Sequence, residues 1–132
     1  MRTKKLLLNF LLVSIAILAQ GCVVAAVGLG AAGTIAYVSG DLESVEAKNI
    51  DVVYSASLEA AKELQLAVLS KSKDALTATI TARDAEDKKV QIKMKAESEL
   101  TTKISIRVGT LGDETKSQRI YQKIYNNLYP IK

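Results

Sequence analysis

The sequence predicts an α+β domain in which two helices cover one face of a twisted antiparallel sheet of about four to five strands, after an N-terminal signal and anchor segment. Three observations predict this class. Three segments alternate apolar and polar residues with the period of a strand, two repeat apolar residues with the period of a helix, and the chain before Asp41 has no acidic residue. A chain of 132 residues holds one small domain of this kind, with an aliphatic core of modest size.

The first 21 residues have the three-part layout of a secretory signal. A basic start, MRTKK, precedes an apolar run over residues 6–18, and small residues then lead to Cys22. This run is shorter than the roughly 20 apolar residues that cross a bilayer as a helix. We therefore expect residues 1–21 to be a signal peptide. The alternative is an uncleaved membrane protein whose helix continues through Val38, although four glycines interrupt that stretch.

The junction between Gly21 and Cys22 resembles the lipobox of bacterial lipoproteins, in which a small residue directly precedes the modified cysteine. Leu18 stands one place earlier than the usual aliphatic residue of that motif. The resemblance implies that the Cys22 thiol takes a diacylglycerol and that the new amino terminus takes a third acyl chain, such as palmitate. Two or more chains anchor a protein stably. Val23 stands where an aspartate would retain such a protein at the inner membrane, which implies the outer membrane, with the domain facing the periplasm.

Gly28, Gly30 and Gly33 spell the GxGxxG pattern of a dinucleotide-binding turn. That turn requires a preceding strand, a following helix, a second strand and an acidic residue about 20 positions on. Only five apolar residues separate Cys22 from the first glycine, and no second strand–helix unit follows. We therefore expect no nucleotide cofactor, and a nucleotide-binding enzyme stays a third alternative.

Residues 22–40 form the predicted membrane-proximal segment. No charged residue occurs between Val23 and Val38. Two interpretations stay open for this segment. It is either an apolar tether beside the membrane, or a helix that self-associates along the small residues Ala26, Gly30 and Thr34.

The domain of residues 41–132 begins with a strand, a helix and a further strand. DLESVEA alternates weakly, as a first strand does, and QLAVLSK has the length of a short strand. Between them NIDVVYSASLEAAKEL predicts a helix, with Asn49 or Asp51 as its N-cap. The apolar face of this helix is expected at Val53, Ala56, Ala60 and Leu64.

Three clearer strands and a helix complete the predicted order β-α-β-β-β-β-α. LTATITAR, KVQIKMKA and TKISIRV alternate apolar and polar residues, which is typical of half-buried antiparallel strands. GDETKSQRIYQKIYNNLYP predicts a helix capped by Asp113 and ended by Pro130. Its apolar stripe is expected at Ile120, Ile124 and Leu128, flanked by Tyr121, Tyr125 and Tyr129. We expect the tyrosine rings to pack on the sheet and their hydroxyls to stay in water.

The C-terminal part of this domain is similar to a family of small bacterial lipoproteins built on a domain of unknown function. In that family a strand that ends Ile-Arg-Val-Gly leads through a Gly-Asp-Glu turn into the last helix. Residues 106–109 match the strand ending, and residues 112–114 match the turn. The resemblance covers nearly the whole chain after Cys22. It supports the lipoprotein prediction and implies no activity.

Composition excludes several function classes. Three of the 18 basic residues precede Cys22, so the formal charge of +4 falls to +1 from Cys22 onward, and the basic pI does not indicate nucleic-acid binding. The chain has no histidine and one cysteine, which excludes an intrachain disulfide, a Cys/His zinc site and a histidine-activated nucleophile. The acidic cluster Asp84, Glu86 and Asp87 lacks the spacing of a calcium loop. We expect no enzyme, cofactor or metal.

One candidate binding surface is left, on the polar side of the three clear strands. If the helices cover the apolar side, the opposite side is basic and rich in hydroxyl groups, without an acid inside those strands. The six basic residues are Arg83, Lys89, Lys93, Lys95, Lys103 and Arg107. Two interpretations stay open: the lysines keep the sheet soluble, or the surface binds an anionic component of the cell envelope. The sequence thus predicts a non-enzymatic envelope lipoprotein that binds or scaffolds an anionic envelope component or a protein partner.

Overall fold

The computed structural model describes Met1, residues 3–6 and residues 35–132. Residues 3–6 form a helical turn. Residues from 32 onward belong to one compact unit, Ala32–Lys132. Its strands are β1 (Ile35–Val38), β2 (Asp41–Glu46), β3 (Ala67–Lys73), β4 (Thr77–Arg83), β5 (Lys89–Ser98) and β6 (Thr101–Val108). Its helices are α1 (Ile50–Glu63), between β2 and β3, and α2 (Glu114–Leu128), after β6.

The strands form a single open sheet in the order β1-β2-β6-β5-β4-β3, and every neighbouring pair is antiparallel. The predicted α+β class with an antiparallel sheet is confirmed. The described residues contain six strands, one or two more than the sequence predicted. The difference is β1, which was expected to belong to the membrane-proximal segment.

Strand β1 joins the sheet because a tight turn folds it back onto β2. Ser39 and Gly40 form this turn with positive φ angles of 52° and 87°. The Tyr37 hydroxyl donates a 2.8 Å hydrogen bond to the Glu114 carbonyl oxygen of α2, which ties β1 to the helix layer. The sheet therefore begins at Ile35, before the domain boundary at residue 41 that the sequence predicted.

Both helices begin at a side-chain cap. The Asn49 side chain accepts a 3.0 Å hydrogen bond from the Val52 amide, so Asn49 rather than Asp51 is the N-cap of α1. Asp113 accepts a 3.0 Å hydrogen bond from the Lys116 amide and is the N-cap of α2, as predicted. Helix α2 ends at Leu128, two residues before Pro130.

The core lies between the two helices and one face of the sheet, which we call the inner face. It is almost entirely aliphatic, and all its members lie between Leu42 and Leu128. The largest fully buried apolar side chains are Leu42, Ile80, Ile92, Ile104, Ile106 and Ile124. Because this core and the described strand pairing are made within residues 35–132, we expect the unit Ala32–Lys132 to fold by itself.

Two glycines allow the β1–β2 turn to meet the loop before α2. Gly40 and Gly112 both have φ near +87°, a conformation that other residues adopt at a cost. A Cβ atom at either position would collide with the backbone of the opposite segment. The contact fixes the start of α2 against the edge of the sheet.

Several predicted features lie outside the described residues. These are the apolar run of the signal, Cys22, and the glycines at 28, 30 and 33. Within the part of the chain that the structure describes, none of the helices is both long and apolar enough to cross a membrane.

Candidate functional site

The six basic residues predicted to share one surface do lie on the same side of the sheet, opposite the helices. We call this side the outer face. Strand residues alternate between faces and residues paired in register share one. The pairs Arg83 with Lys89 and Lys95 with Lys103 are directly opposite each other. Lys93 and Arg107 pair with residues of the same set of outer positions, Ser105 and Gln91.

The outer face also carries two carboxylates that the three clear strands do not contain. Strand β2 pairs with β6 and places Asp41 and Glu43 on this side of the sheet. The Lys103 ammonium lies 2.9 Å from a Glu43 carboxylate oxygen. The Arg107 guanidinium is in contact with the Asp41 carboxylate. These two carboxylates therefore pair with two of the six predicted cations.

Arg107 also holds the backbone at the corner of the sheet. Its Nη1 donates a 3.0 Å hydrogen bond to the Thr110 carbonyl oxygen, and its Nη2 donates a 2.7 Å hydrogen bond to the Ser39 carbonyl oxygen. Together with Asp41, these acceptors engage each of the three nitrogens of the guanidinium. The Arg107 side chain thus links the β1–β2 turn to the loop before α2 through hydrogen bonds.

Arg83 is committed in a similar way. Its guanidinium donates a 2.7 Å hydrogen bond to the Asp87 carbonyl oxygen and lies 3.4 Å from the Asp87 carboxylate. Both arginines of the outer face therefore have partners in the structure, although Arg83 makes its contacts through Nη1 alone and its side chain is 45% exposed.

The free positive charge of the outer face comes from one strand. Lys89, Lys93 and Lys95 of β5 are exposed. They form no ion pair with any residue of the described part of the chain. We call these three residues the lysine row. Threonines of β4 lie beside it: Thr79 is opposite Lys93, and Thr77 is opposite Lys95.

Two members of the lysine row lie opposite other cations, against the usual preference of sheets, whereas Lys93 lies between Thr79 and Ser105. Like charges that face each other across two strands destabilise the sheet. Here Lys89 faces Arg83, and Lys95 faces Lys103. Proteins break one or two local rules of this kind at functional sites and compensate for the cost elsewhere in the fold. Solubility alone does not call for facing pairs, because scattered charges of both signs provide it.

An open groove of about 610 Å³ lies at one end of the outer face. Lys89 and Gln91 contribute to its lining, together with the two committed arginines. The groove places one member of the lysine row at a concave position, while Lys93 and Lys95 stand on the open strand surface.

Comparison with known proteins identifies the family of this chain. A family model described as a protein of unknown function, DUF3568, matches residues 5–127. The chain belongs to the DUF3568 family. None of the curated proteins matches its sequence. The match covers all six strands of the described sheet and nearly all of α2, so the lysine row lies within the DUF3568 region.

The inner face of the DUF3568 domain contains a buried carboxylate that the sequence analysis did not single out. Glu46, the last residue of β2, is fully buried. Its Oε1 accepts a 2.6 Å hydrogen bond from the Tyr121 hydroxyl and a 2.7 Å hydrogen bond from Ser44 Oγ. Among the described residues, its Oε2 has no hydrogen-bond partner. A buried acid that accepts from neighbouring hydroxyls ties β2 to α2.

The three tyrosines of α2 behave differently from one another. The sequence analysis predicted that the tyrosine hydroxyls stay in water. The structure contradicts this at two positions: the Tyr121 hydroxyl is buried against Glu46, and the Tyr129 hydroxyl is buried as well. Burial, followed by the hydrogen bond to Glu46, raises the pKa of Tyr121. Burial is also the main cause of the raised pKa of Tyr129. Neighbouring rings contact each other along the helix at a tilt, with 4.8 Å between the centroids of Tyr125 and Tyr129 and 44° between their planes. This row is a packing element.

An ion cluster joins the β4–β5 turn to α2. The Lys116 ammonium lies 2.6 Å from Asp84 and 2.7 Å from Glu86. Lys116 is therefore the main cause of the lowered pKa values of both carboxyl groups. The Asp84 side chain also accepts from the Glu86 and Lys88 amides at 2.9 Å, so it organises its own turn. In the residues that the structure describes, no cluster of potential metal ligands occurs.

The sequence analysis placed the six cations on one side of the sheet. It did not predict that Lys103 and Arg107 pair with Glu43 and Asp41. DLESVEA puts Asp41 and Glu43 in the polar phase of a strand, which was the available signal. Which strand lies beside it is decided by the long-range pairing of β2 with β6. The same alternation places Ser44 and Glu46 on the same face of β2 as the apolar Leu42. Polar residues at these positions were the available signal for a polar contact inside the core.

Proposed function

We propose that this DUF3568 chain is a non-enzymatic lipoprotein of the bacterial envelope, anchored by acylated Cys22, whose outer face binds an anionic envelope component. The lysine row is the observation that carries the binding proposal. It supplies three exposed cations on one strand, without acidic partners among the described residues, on a sheet face that neither α1 nor α2 covers. Surfaces of one sign attract anions over distances of about a Debye length.

The charge distribution of the domain supports a directional role for the outer face. Positions in regular register on this face carry six cations and two carboxylates. Helices α1 and α2 on the other side carry four cations and four carboxylates in their sequences. Since the helices are neutral and the outer face is positive, we expect an anionic partner to be attracted more strongly to the outer face.

The anchor half of the proposal rests on the sequence. The basic start, the apolar run and the Gly21–Cys22 junction support cleavage before Cys22 and acylation there. The intact mass of the protein purified from membranes tests it. We expect a chain that begins at Cys22 with acyl chains added, and release of the Cys22→Ser variant from the membrane fraction. A membrane-bound species that retains residues 1–21 would contradict the anchor.

Co-sedimentation of the unit 32–132 tests the binding half. The ligands are vesicles containing phosphatidylglycerol, lipopolysaccharide and peptidoglycan, each at low and high salt. We expect binding to at least one ligand at low salt and loss of that binding at high salt. A triple variant of the lysine row, Lys89→Gln with Lys93→Gln and Lys95→Gln, should bind far less.

A matched control removes the same charge from elsewhere in the domain. The variant Lys62→Gln with Lys123→Gln and Lys132→Gln changes α1, α2 and the C-terminus, so its net charge equals that of the lysine-row variant. We expect it to bind as the unchanged domain does. Equal loss in both triple variants would mean that net charge, rather than the outer face, decides binding. No binding of the unchanged domain to any ligand would refute the proposal.

A further inference from the structure

We infer that the lysine row docks onto the anionic phospholipid headgroups of the membrane that holds Cys22. This inference rests on the proposed function and names the partner of the same surface. It assigns the outer face an orientation toward the bilayer, with the helix layer turned away from it.

The covalent distance from the anchor to the sheet supports this partner. Only 13 residue steps separate Cys22 from Ile35, the first residue of β1. A chain of that length reaches at most roughly 45 Å when fully extended. An acylated Cys22 would therefore hold the lysine row permanently within reach of the headgroups, where a high effective concentration makes weak individual contacts sufficient.

The chemistry of the free cations also favours a headgroup layer. Arginine recognises one carboxylate or phosphate through a planar fork, whereas lysine is a point charge on a flexible stem. The arginines of the outer face, Arg83 and Arg107, are committed to protein carbonyl and carboxylate groups. The three cations that stay free are lysines. This set suits a surface of many mobile phosphates better than a single ligand of fixed shape.

The spacing and neighbours of the lysine row fit a flat contact. Residues on one strand face repeat about every 7 Å, so Lys89, Lys93 and Lys95 span roughly 20 Å along β5. Val38 and Val45 are exposed on the same face, at the side of the sheet where the chain arrives from the N-terminus. Val38 lies opposite Asp41 and Val45 opposite Lys103, so these small apolar surfaces approach the headgroup layer beside charges that are already paired within the protein.

Vesicle partitioning of the unit 32–132 tests the inference. One set of vesicles contains phosphatidylglycerol in phosphatidylcholine, and the other contains phosphatidylcholine alone. Each lysine near an anionic surface strengthens binding by about a factor of five, so we expect the lysine-row variant to lose about a hundredfold in partitioning onto anionic vesicles. The control variant with Lys62, Lys123 and Lys132 changed should keep its partitioning within a few-fold.

Orientation gives a second readout that does not depend on affinity. In the unit 32–132, which has no cysteine, an environment-sensitive dye is attached at Val45→Cys on the outer face or at Gln122→Cys on α2. We expect anionic vesicles to shift the emission of the dye at position 45 and to leave that at position 122 unchanged.

The outcomes separate this inference from the proposed function. Equal partitioning onto anionic and neutral vesicles would overturn the inference. If lipopolysaccharide or peptidoglycan still bound through the lysine row, the proposed function would stand without it. A spectral shift at position 122 alone would place the helix layer on the membrane and overturn the inference as well. Circular dichroism of each variant checks that loss of binding does not come from unfolding.

Discussion

At the residue scale, the contact between Glu46 and Tyr121 joins β2 to α2 inside the core. The Tyr121 hydroxyl is the donor closest to the Glu46 carboxylate, at 2.6 Å. Tyr121→Phe keeps the ring but leaves the carboxylate with one donor fewer in a buried place. We expect it to lower the free energy of unfolding by about 1–3 kcal/mol, as for other buried acceptors that lose a partner.

Tyr125→Phe is the matched control for that substitution. Tyr125 is half-buried and stacks between its two neighbours on α2. Loss of its hydroxyl should change stability by no more than about 0.5 kcal/mol. Urea unfolding of both variants measures the difference. Equal effects would show that the bond to Glu46 contributes nothing specific.

A second prediction concerns the two glycines that face each other. Gly40→Ala would place a Cβ against the Leu111 carbonyl group and would also require a positive φ of 87°. We expect a loss of at least about 2 kcal/mol in unfolding free energy. Gly109 has a φ of 72° but open space around it, so Gly109→Ala should cost only about 1 kcal/mol. Similar losses in thermal or urea unfolding would contradict the close approach of the two turns.

At the element scale, the ion cluster holds the β4–β5 turn against α2, and acid should loosen it. The pKa values of Asp84, Glu86 and Asp113 are lowered, the first two by Lys116 and the third mainly by the Lys116 backbone amide. A carboxyl group whose folded pKa is lowered stabilises the fold above its unfolded pKa of about 4 and loses that contribution as pH falls further. We expect the urea concentration at the midpoint of unfolding to decrease as the pH is lowered below about 4.

Lys116→Met tests the origin of this acid sensitivity. Methionine keeps much of the length of the side chain but removes the charge that Asp84 and Glu86 contact. The variant should be less stable than the unchanged protein at pH 7, and the two should converge as pH falls through 4 toward 3. A constant difference across that range would show that the side-chain stem, rather than its charge, matters.

The elements themselves could be predicted where their pattern is local. Strict alternation in β4, β5 and β6 and the caps at Asn49 and Asp113 depend only on neighbouring residues. Strand β1 could not be predicted from the sequence. Its four residues, IAYV, do not alternate apolar with polar residues, and they continue a longer uncharged stretch before Asp41. Its strand character comes from the Ser39–Gly40 turn and from pairing with β2.

At the scale of the whole molecule, the candidate site depends on non-local pairing. The sequence predicts six cations on the polar side of three strands, and in the structure their register positions lie on one side of the sheet. What the sequence could not predict is that β2 lies beside β6, which brings Asp41 and Glu43 to Arg107 and Lys103. Because that pairing gives the two cations of β6 acidic partners, the unpaired positive charge of the outer face lies on β5. The set expected to attract anions shrinks to the lysine row.

Because some cations of the outer face are paired with acids and others are not, a substitution that tests binding should be made in the lysine row rather than at Arg107. Exchange of Arg107 breaks its contacts with Asp41, Ser39 and Thr110, so it should destabilise the corner of the sheet. Lys93→Glu changes an exposed side chain and should alter stability by no more than about 0.5 kcal/mol. We expect urea unfolding to show a clear loss for Arg107→Glu and almost none for Lys93→Glu. Comparable stability of the two variants would contradict the structural role of Arg107.

The most direct test of the central claim is the reactivity of lysine amines in the full protein on its own membrane. Isolated membranes and detergent-solubilised protein are treated with an amine-specific reagent, and each lysine is quantified by peptide mass spectrometry. We predict that Lys89, Lys93 and Lys95 react several-fold more slowly on membranes than in detergent, while Lys62 and Lys123 on the helices react equally in both. Equal reactivity of the lysine row in the two states would contradict the account.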